Sequence, residues 1–153
     1  MNDIFVSTSE LIPLFKELLE KGQKISVKIT GNSMFPLFAH RRDTLTIEKK
    51  EKYRARDIVM YVRSNGELVI HRIYRVKKEY FVLCGDNQHV AEFPIYENQI
   101  MGAVTGFERK GKKVSVTSTA YRLYSFFWCL SLKIRKPLLI SAIRIRNFKI
   151  GVK

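Results

Sequence analysis

Acidic residues are scarce in this chain. Its 153 residues carry 28 Lys and Arg against 14 Asp and Glu, a formal net charge of +14. Such an imbalance says nothing about fold, but it favours a polyanionic partner, either nucleic acid or an anionic membrane surface. Cysteine is rarer still. Cys84 and Cys129 are too few and too far apart for a disulfide framework or a metal-ligand pattern, so both are read as reduced thiols and neither metal nor cofactor is expected. No apolar run reaches the roughly eighteen residues that a membrane-spanning helix needs. Met1-Asn2-Asp3-Ile4-Phe5 lacks a basic segment followed by an apolar one, so no cleavable secretory signal is expected. Repeats and low-complexity tracts are missing too. What remains is a length that suits one domain and a hydrophobic content of 46%, which places the chain among globular proteins rather than disordered ones.

Along the chain, Ser7-Thr8-Ser9-Glu10 has capping-box spacing, with Ser7 as N-cap. Leu11, Leu14, Phe15, Leu18 and Leu19 then recur at helical spacing until Gly22, which predicts a helix over 7–21. Lys24 to Ile29 alternates as a half-buried strand. Thr44 to Glu48, Asp57 to Arg63, Glu67 to Val76, Tyr80 to Cys84, Ile100 to Glu108 and Lys113 to Val116 follow as strands. Ser64-Asn65-Gly66 marks a hairpin. Residues 89–99, through Glu92, Pro94 and Glu97, read as a loop. Short strands at short spacing over 24–117 mean an antiparallel β sandwich or closed sheet. The fold class is therefore mainly β, with an N-terminal helix and a helical tail.

The tail begins near Thr119. From there to Lys153 the sequence has eight Lys or Arg and no acidic residue. An aromatic stretch, Tyr121 to Leu132, precedes the basic knot Lys133-Ile134-Arg135-Lys136, and Pro137 opens a second helix. This basic amphipathic pattern predicts binding to an anionic membrane surface, peripheral and at the cytoplasmic face. The plainer alternative is a helix that packs on its own domain or on a partner chain. Nucleic acid is the less favoured polyanion, because the densest purely basic stretch is also the apolar tail rather than a sheet face with interleaved aromatics.

The stretch that carries chemistry is Thr30-Gly31-Asn32-Ser33-Met34-Phe35-Pro36. It breaks a strand and presents one hydroxyl at the break, with apolar Met34 and Phe35 beside it and Pro36 barring a regular element. Further along come His71 in the middle of an apolar strand, Asp86 in the turn Gly85-Asp86-Asn87, and Glu92 six residues later. A nucleophilic serine needs a base, and a histidine base gains from a carboxylate that fixes its tautomer. The chain offers one serine, one histidine and two candidate carboxylates.

Five blocks occur in order: Gly31-Asn32-Ser33-Met34-Phe35-Pro36, Arg56-Asp57-Ile58-Val59-Met60-Tyr61, Val69-Ile70-His71-Arg72-Ile73, Gly85-Asp86-Asn87 and Ile100-Met101-Gly102-Ala103-Val104. Together, over about residues 25–117, they resemble the signal-peptidase and LexA-type superfamily of serine peptidases. The resemblance implies a peptidase domain over 1–118 and a tail over 119–153. It implies Ser33 as nucleophile and His71 as general base, at the position where the endoplasmic-reticulum and archaeal-type signal peptidases carry histidine. Asp86 and Glu92 are alternatives for the residue that orients His71. Gly31 and Asn32 shape the oxyanion turn, and Met34, Phe35 and Pro36 line the substrate cleft. Signal peptidases often carry a serine two places before the nucleophile; here that place is Gly31, so the oxyanion rests chiefly on backbone N–H groups. Arg42-Asp43 and Arg56-Asp57 stand where the family usually has Gly-Asp. The expected activity is serine endopeptidase cleavage of a leader or signal-type peptide in a precursor protein. The rival expectation is a non-catalytic peptide-binding protein that keeps the fold.

Overall fold

Gly22 and the periodicity before it define the first element of the computed structural model, which describes residues 8–129. Helix α1 (Thr8–Glu20) stops where Gly22 takes φ +73°. The N–H groups of Gly22 and Gln23 donate back to the carbonyls of Leu19 and Leu18, satisfying two orphan acceptors of the last turn. The predicted N-cap Ser7 lies outside the described residues. The stripe that meets the core is buried Leu19 with the partly buried Ile12, Phe15 and Leu18. Leu14, expected on that stripe, is about half exposed at 48%, because Ile12 and Phe15 already occupy the side that meets the sheet.

Eight strands follow: β1 (Ile25–Lys28), β2 (Asp43–Glu48), β3 (Ile58–Val62), β4 (Leu68–Val76), β5 (Phe81–Cys84), β6 (Glu92–Ile95), β7 (Ile100–Arg109) and β8 (Lys112–Ser115), then helix α2 (Thr119–Cys129). Every pairing is antiparallel. The strands form one sheet in the order β1-β2-β7-β3-β4-β5-β6, with β8 added to β7. The mainly β fold with a helix at each end is as expected; in place of a sandwich or closed sheet, the strands make one sheet whose end strands β1 and β6 do not pair with each other. The ten-residue β7 causes this, since it pairs with β2, β3 and β8 and merges what would be two sheets. Strand β6 takes the place of the loop expected through Glu92 and Pro94. It lies at the sheet edge, paired only with β5, and an edge tolerates a residue with no N–H to donate.

Both faces of the sheet are buried around β3, whose residues alternate between two clusters. Ile58 and Met60 join α1, β1, β2 and the Ser33 loop; Val59 and Tyr61 join Ile73, Leu83, Ile95 and Ile100. A strand buried on both faces reads as an unbroken apolar run, as Ile58 to Val62 does. Next to it, β4 places His71 opposite Val59 and Arg72 opposite Ile58. Consecutive strand residues point to opposite faces, so His71 and Arg72 serve different sides of the sheet.

Helix α2 belongs to the first part of the expected tail, and it docks on the sheet domain. Tyr121, Tyr124, Ser125 and Trp128 all hydrogen-bond to Arg72 or Asp86. The basic knot and the helix expected after Pro137 lie outside the described residues. No described helix is long and apolar enough to cross a membrane.

Candidate active site

Residues 30–43 form the loop that carries Ser33, and a buried carboxylate pins its far end. Asp43 accepts from the Ala39 N–H at 3.0 Å, Arg42 Nε at 2.9 Å and Arg109 Nε at 2.6 Å. Arg42 and Arg109 also bond the Leu37 carbonyl. Burial of Asp43 alone would raise its pKa, but the two guanidinium groups and the Ala39 amide outweigh it, and the carboxyl sits below its ordinary value. Met34, Leu37 and Phe38 are buried and anchor the loop from beneath. Phe38 meets Phe107 edge-on at 5.1 Å, a favoured aromatic geometry.

The near end of the loop is fixed by main chain. Gly31 has φ +88°, a conformation glycine adopts without steric cost. Its N–H donates to His40 Nδ1 at 2.9 Å. The Ser33 carbonyl accepts from the Asn87 N–H at 2.8 Å. Gly85 lies so close that a Cβ there would stand 2.6 Å from that carbonyl oxygen. Ser33 is therefore seated on the Gly85–Asn87 turn, and only glycine fits at position 85. The N–H groups of Asn32 and Ser33 have no acceptor among the described residues. The oxyanion expectation accordingly divides: Gly31 makes the turn, while its amide is committed to His40.

Ser33 and His71 line the same cleft, a cavity of about 600 Å³. One wall is Val27 to Gly31 and the other Leu68 to His71. Met34 lines it as well, although most of that side chain is core; Phe35 and Pro36 do not line it. That corrects the expected substrate wall. Bonds from the Phe35 N–H to Asn32 and from the Phe38 N–H to Met34 curl the chain beneath the serine, away from the opening.

Glu92, not Asp86, is the carboxylate on the histidine. Glu92 Oε1 lies 3.1 Å from His71 Nδ1, and the Tyr61 hydroxyl is 3.2 Å from the same nitrogen. Tyr61 donates to Glu92 Oε2 at 2.8 Å, so its oxygen is left to accept. A proton on Nδ1 satisfies both neighbours, and that tautomer leaves the lone pair on Nε2. Arg63 holds Glu92 in place through Nε at 2.8 Å and through Nη2, and it reaches Glu67 with Nη1 at 2.6 Å. Burial lowers the His71 pKa below 6.5, and the Glu92 charge only partly offsets that. Glu92 itself is held below its ordinary value: burial opposes this, but bonds from Arg63 and Tyr61 prevail. Tyr61 is pushed upward, first by burial and then by Glu92, and so stays protonated.

Asp86 belongs to the opposite face. It takes Arg72 in a bidentate pair at 2.8 and 2.7 Å, both residues fully buried. Tyr124 Oη adds a bond at 3.3 Å, and Trp128 Nε1 donates to the Asp86 carbonyl at 3.2 Å. The pair ties α2 to the turn that seats Ser33. Tyr61 and Arg63, which the sequence reading did not single out, complete the histidine's surroundings. Their signal was a polar i, i+2 pair at the end of the strand that pairs with the His71 strand, Tyr61 within it and Arg63 just past it. Among the described residues no group of three or more His, Cys, Asp or Glu is placed to share a metal ion.

The family model described as Peptidase S24-like matches residues 3–105, a span that includes Ser33, His71, Asp86 and Glu92. No curated protein matches the chain.

Proposed function

The chain belongs to the S24-like peptidases, within the signal-peptidase and LexA-type superfamily, and on that premise we propose that it is a serine endopeptidase acting on a leader or signal-type peptide. The observation that carries the reading is the shared cleft: Ser33 and His71 line it together, while Glu92 and Tyr61 occupy the other ring nitrogen of His71.

In this mechanism Ser33 Oγ attacks the scissile carbonyl carbon as His71 Nε2 takes its proton. The imidazolium then gives that proton to the leaving amine, and an acyl ester on Ser33 remains. Water attacks the ester, His71 again taking and returning a proton, and the serine is regenerated. Burial keeps the imidazole neutral near pH 7, as a base requires. Glu92 stabilises the positive charge that forms on the ring. The N–H groups of Asn32 and Ser33 supply oxyanion donors, and they need no reorganisation as charge develops.

Substrate binding follows from the strand edges. Strand β1 pairs only with β2, and Leu68 to His71 pair only with β3, because β5 begins its pairing at Arg72. Two free edges therefore border the cleft. An extended peptide supplies the missing backbone partners, with its scissile bond brought to Ser33.

The near-complete burial of His71, 1% exposed, is the observation that favours peptide binding without cleavage. A diverse peptide library read by mass spectrometry separates the two. Cuts made by the wild type and lost in both Ser33→Ala and His71→Ala establish the peptidase. Peptide capture that survives in both variants, with no cuts by the wild type, overturns it.

A further inference from the structure

Helix α2 turns aromatic rings with polar tips inward, where Tyr121 and Tyr124 pack on the core, and carries apolar side chains outward as well. Its inward side chains bond to the buried Arg72–Asp86 pair: Tyr121 and Ser125 accept from Arg72 at 3.3 and 2.8 Å, while Tyr124 and Trp128 donate to Asp86. Its outward side presents Leu123, Phe126 and Phe127, exposed by 54%, 47% and 66%. These three stand at i, i+3 and i+4 and so form one ridge. An amphipathic helix on a water-facing surface carries charged or polar residues on that outward side instead.

Beside the ridge is a second cleft of about 600 Å³, between α2 and the connector that precedes β3. Lys50, Arg54, Arg56 and Arg122 line it against a single carboxylate, Asp57. Lys50 pairs with Asp57 at 3.0 Å. Arg56 lies over the Phe126 ring at 5.7 Å, joining the charged cleft to the apolar ridge. None of the three guanidinium groups has a carboxylate partner among the described residues.

We propose that this ridge and cleft form a binding surface for an anionic phospholipid bilayer, with lipid phosphates in the arginine cleft and Leu123, Phe126 and Phe127 at the acyl boundary. The argument for this occupant is charge complementarity combined with an apolar contact. The chain's own residues 130–153 hold seven Lys or Arg and no acidic residue, so they cannot neutralise the cleft. A second copy brings +14 of the same sign. Nucleic acid supplies phosphates but no aliphatic counterpart for the ridge. A bilayer interface supplies both at one depth, where a helix buries its apolar face about 5–10 Å into the headgroup region. The assignment stands independently of the proposed peptidase activity.

Trp128 is the only tryptophan of the chain and faces inward on α2, so Phe127→Trp in a Trp128→Phe background moves the single indole onto the exposed ridge, where its fluorescence reads the surface that meets the bilayer. The full chain is titrated with vesicles of phosphatidylglycerol and phosphatidylcholine carrying brominated acyl chains, and with phosphatidylcholine alone. The expected result is quenching and sedimentation with the anionic vesicles only. Each cation at an anionic surface adds about fivefold in partition, so Arg54→Gln with Arg122→Gln weakens binding roughly 25-fold. Arg54→Lys with Arg122→Lys stays within about threefold of wild type on the same reasoning. An unchanged thermal midpoint in both double variants shows that the fold survived. The proposal is overturned if the glutamine variant partitions like wild type, or if the chain sediments without quenching. It is also overturned if inorganic phosphate shifts the fluorescence while anionic vesicles do not, or if duplex DNA binds more tightly than the vesicles at physiological salt.

Discussion

Replacing Glu92 with Gln tests which carboxylate serves the histidine. The amide keeps the size of the side chain and an oxygen for Tyr61, but removes the charge 3.1 Å from His71 Nδ1. A unit charge at that distance is worth about 5 kcal/mol at an effective dielectric near 20. Arg63 stays behind without its main counterion, and Glu92 is a quarter exposed, so roughly half of that gross figure is screened away. About 2–3 kcal/mol of imidazolium stabilisation is lost in the transition state, or roughly 30- to 150-fold in kcat. The substitution also moves the pH profile in a fixed direction. Burial already holds His71 below 6.5 and the Glu92 charge pulls it back up, so removing that charge shifts the acid limb of kcat/KM to lower pH. The assay is a pH series on any peptide whose cleavage depends on Ser33. A kcat within threefold of wild type, or an acid limb that stays where it was, refutes the assignment. The more distant Asp86 charge raises the His71 pKa too, but less than Glu92 does, so only a limb that moves further in Asp86→Asn than in Glu92→Gln transfers the orienting role to Asp86.

Asp86→Asn acts on stability: it leaves Arg72 as an unpaired buried cation, a loss of about 3–5 kcal/mol, read from the urea midpoint with the slope unchanged. Gly85→Ala places a methyl group 2.6 Å from the Ser33 carbonyl oxygen, and the displaced serine loses about 100-fold or more in kcat, measured on the same peptide. Acid weakens the fold in two stages. An unfolded His71 takes up a proton near pH 6.5 that the folded protein binds only at lower pH, so stability falls as pH drops below 6.5. Glu92 and Asp43, both held below their ordinary values, add a further loss below about pH 4.5 as their carboxylates protonate. Urea unfolding across pH shows both stages, and His71→Gln flattens the first.

Local chemistry was legible in the sequence. Alternation located seven of the eight strands within a residue or two, Asn65-Gly66 marked the hairpin, and Gly22 ended α1. Period two and period 3.6 are properties of short stretches, so they survive without knowledge of the partner. The order of motif blocks pointed to Ser33 and His71. Only the tertiary structure decided the rest, because it depended on register and face. His71 and Arg72 are neighbours in sequence, yet strand geometry sends them to opposite sides of the sheet. Each side then selects its own carboxylate: Glu92 reaches His71 from edge strand β6, and Asp86 reaches Arg72 from the Gly85–Asn87 turn. The commitment of the Gly31 amide to His40, the burial of Met34 beneath the serine and the docking of α2 on the Arg72–Asp86 pair likewise arise between residues distant in the chain. Spacing determines which residues share a local face; packing determines what each face meets.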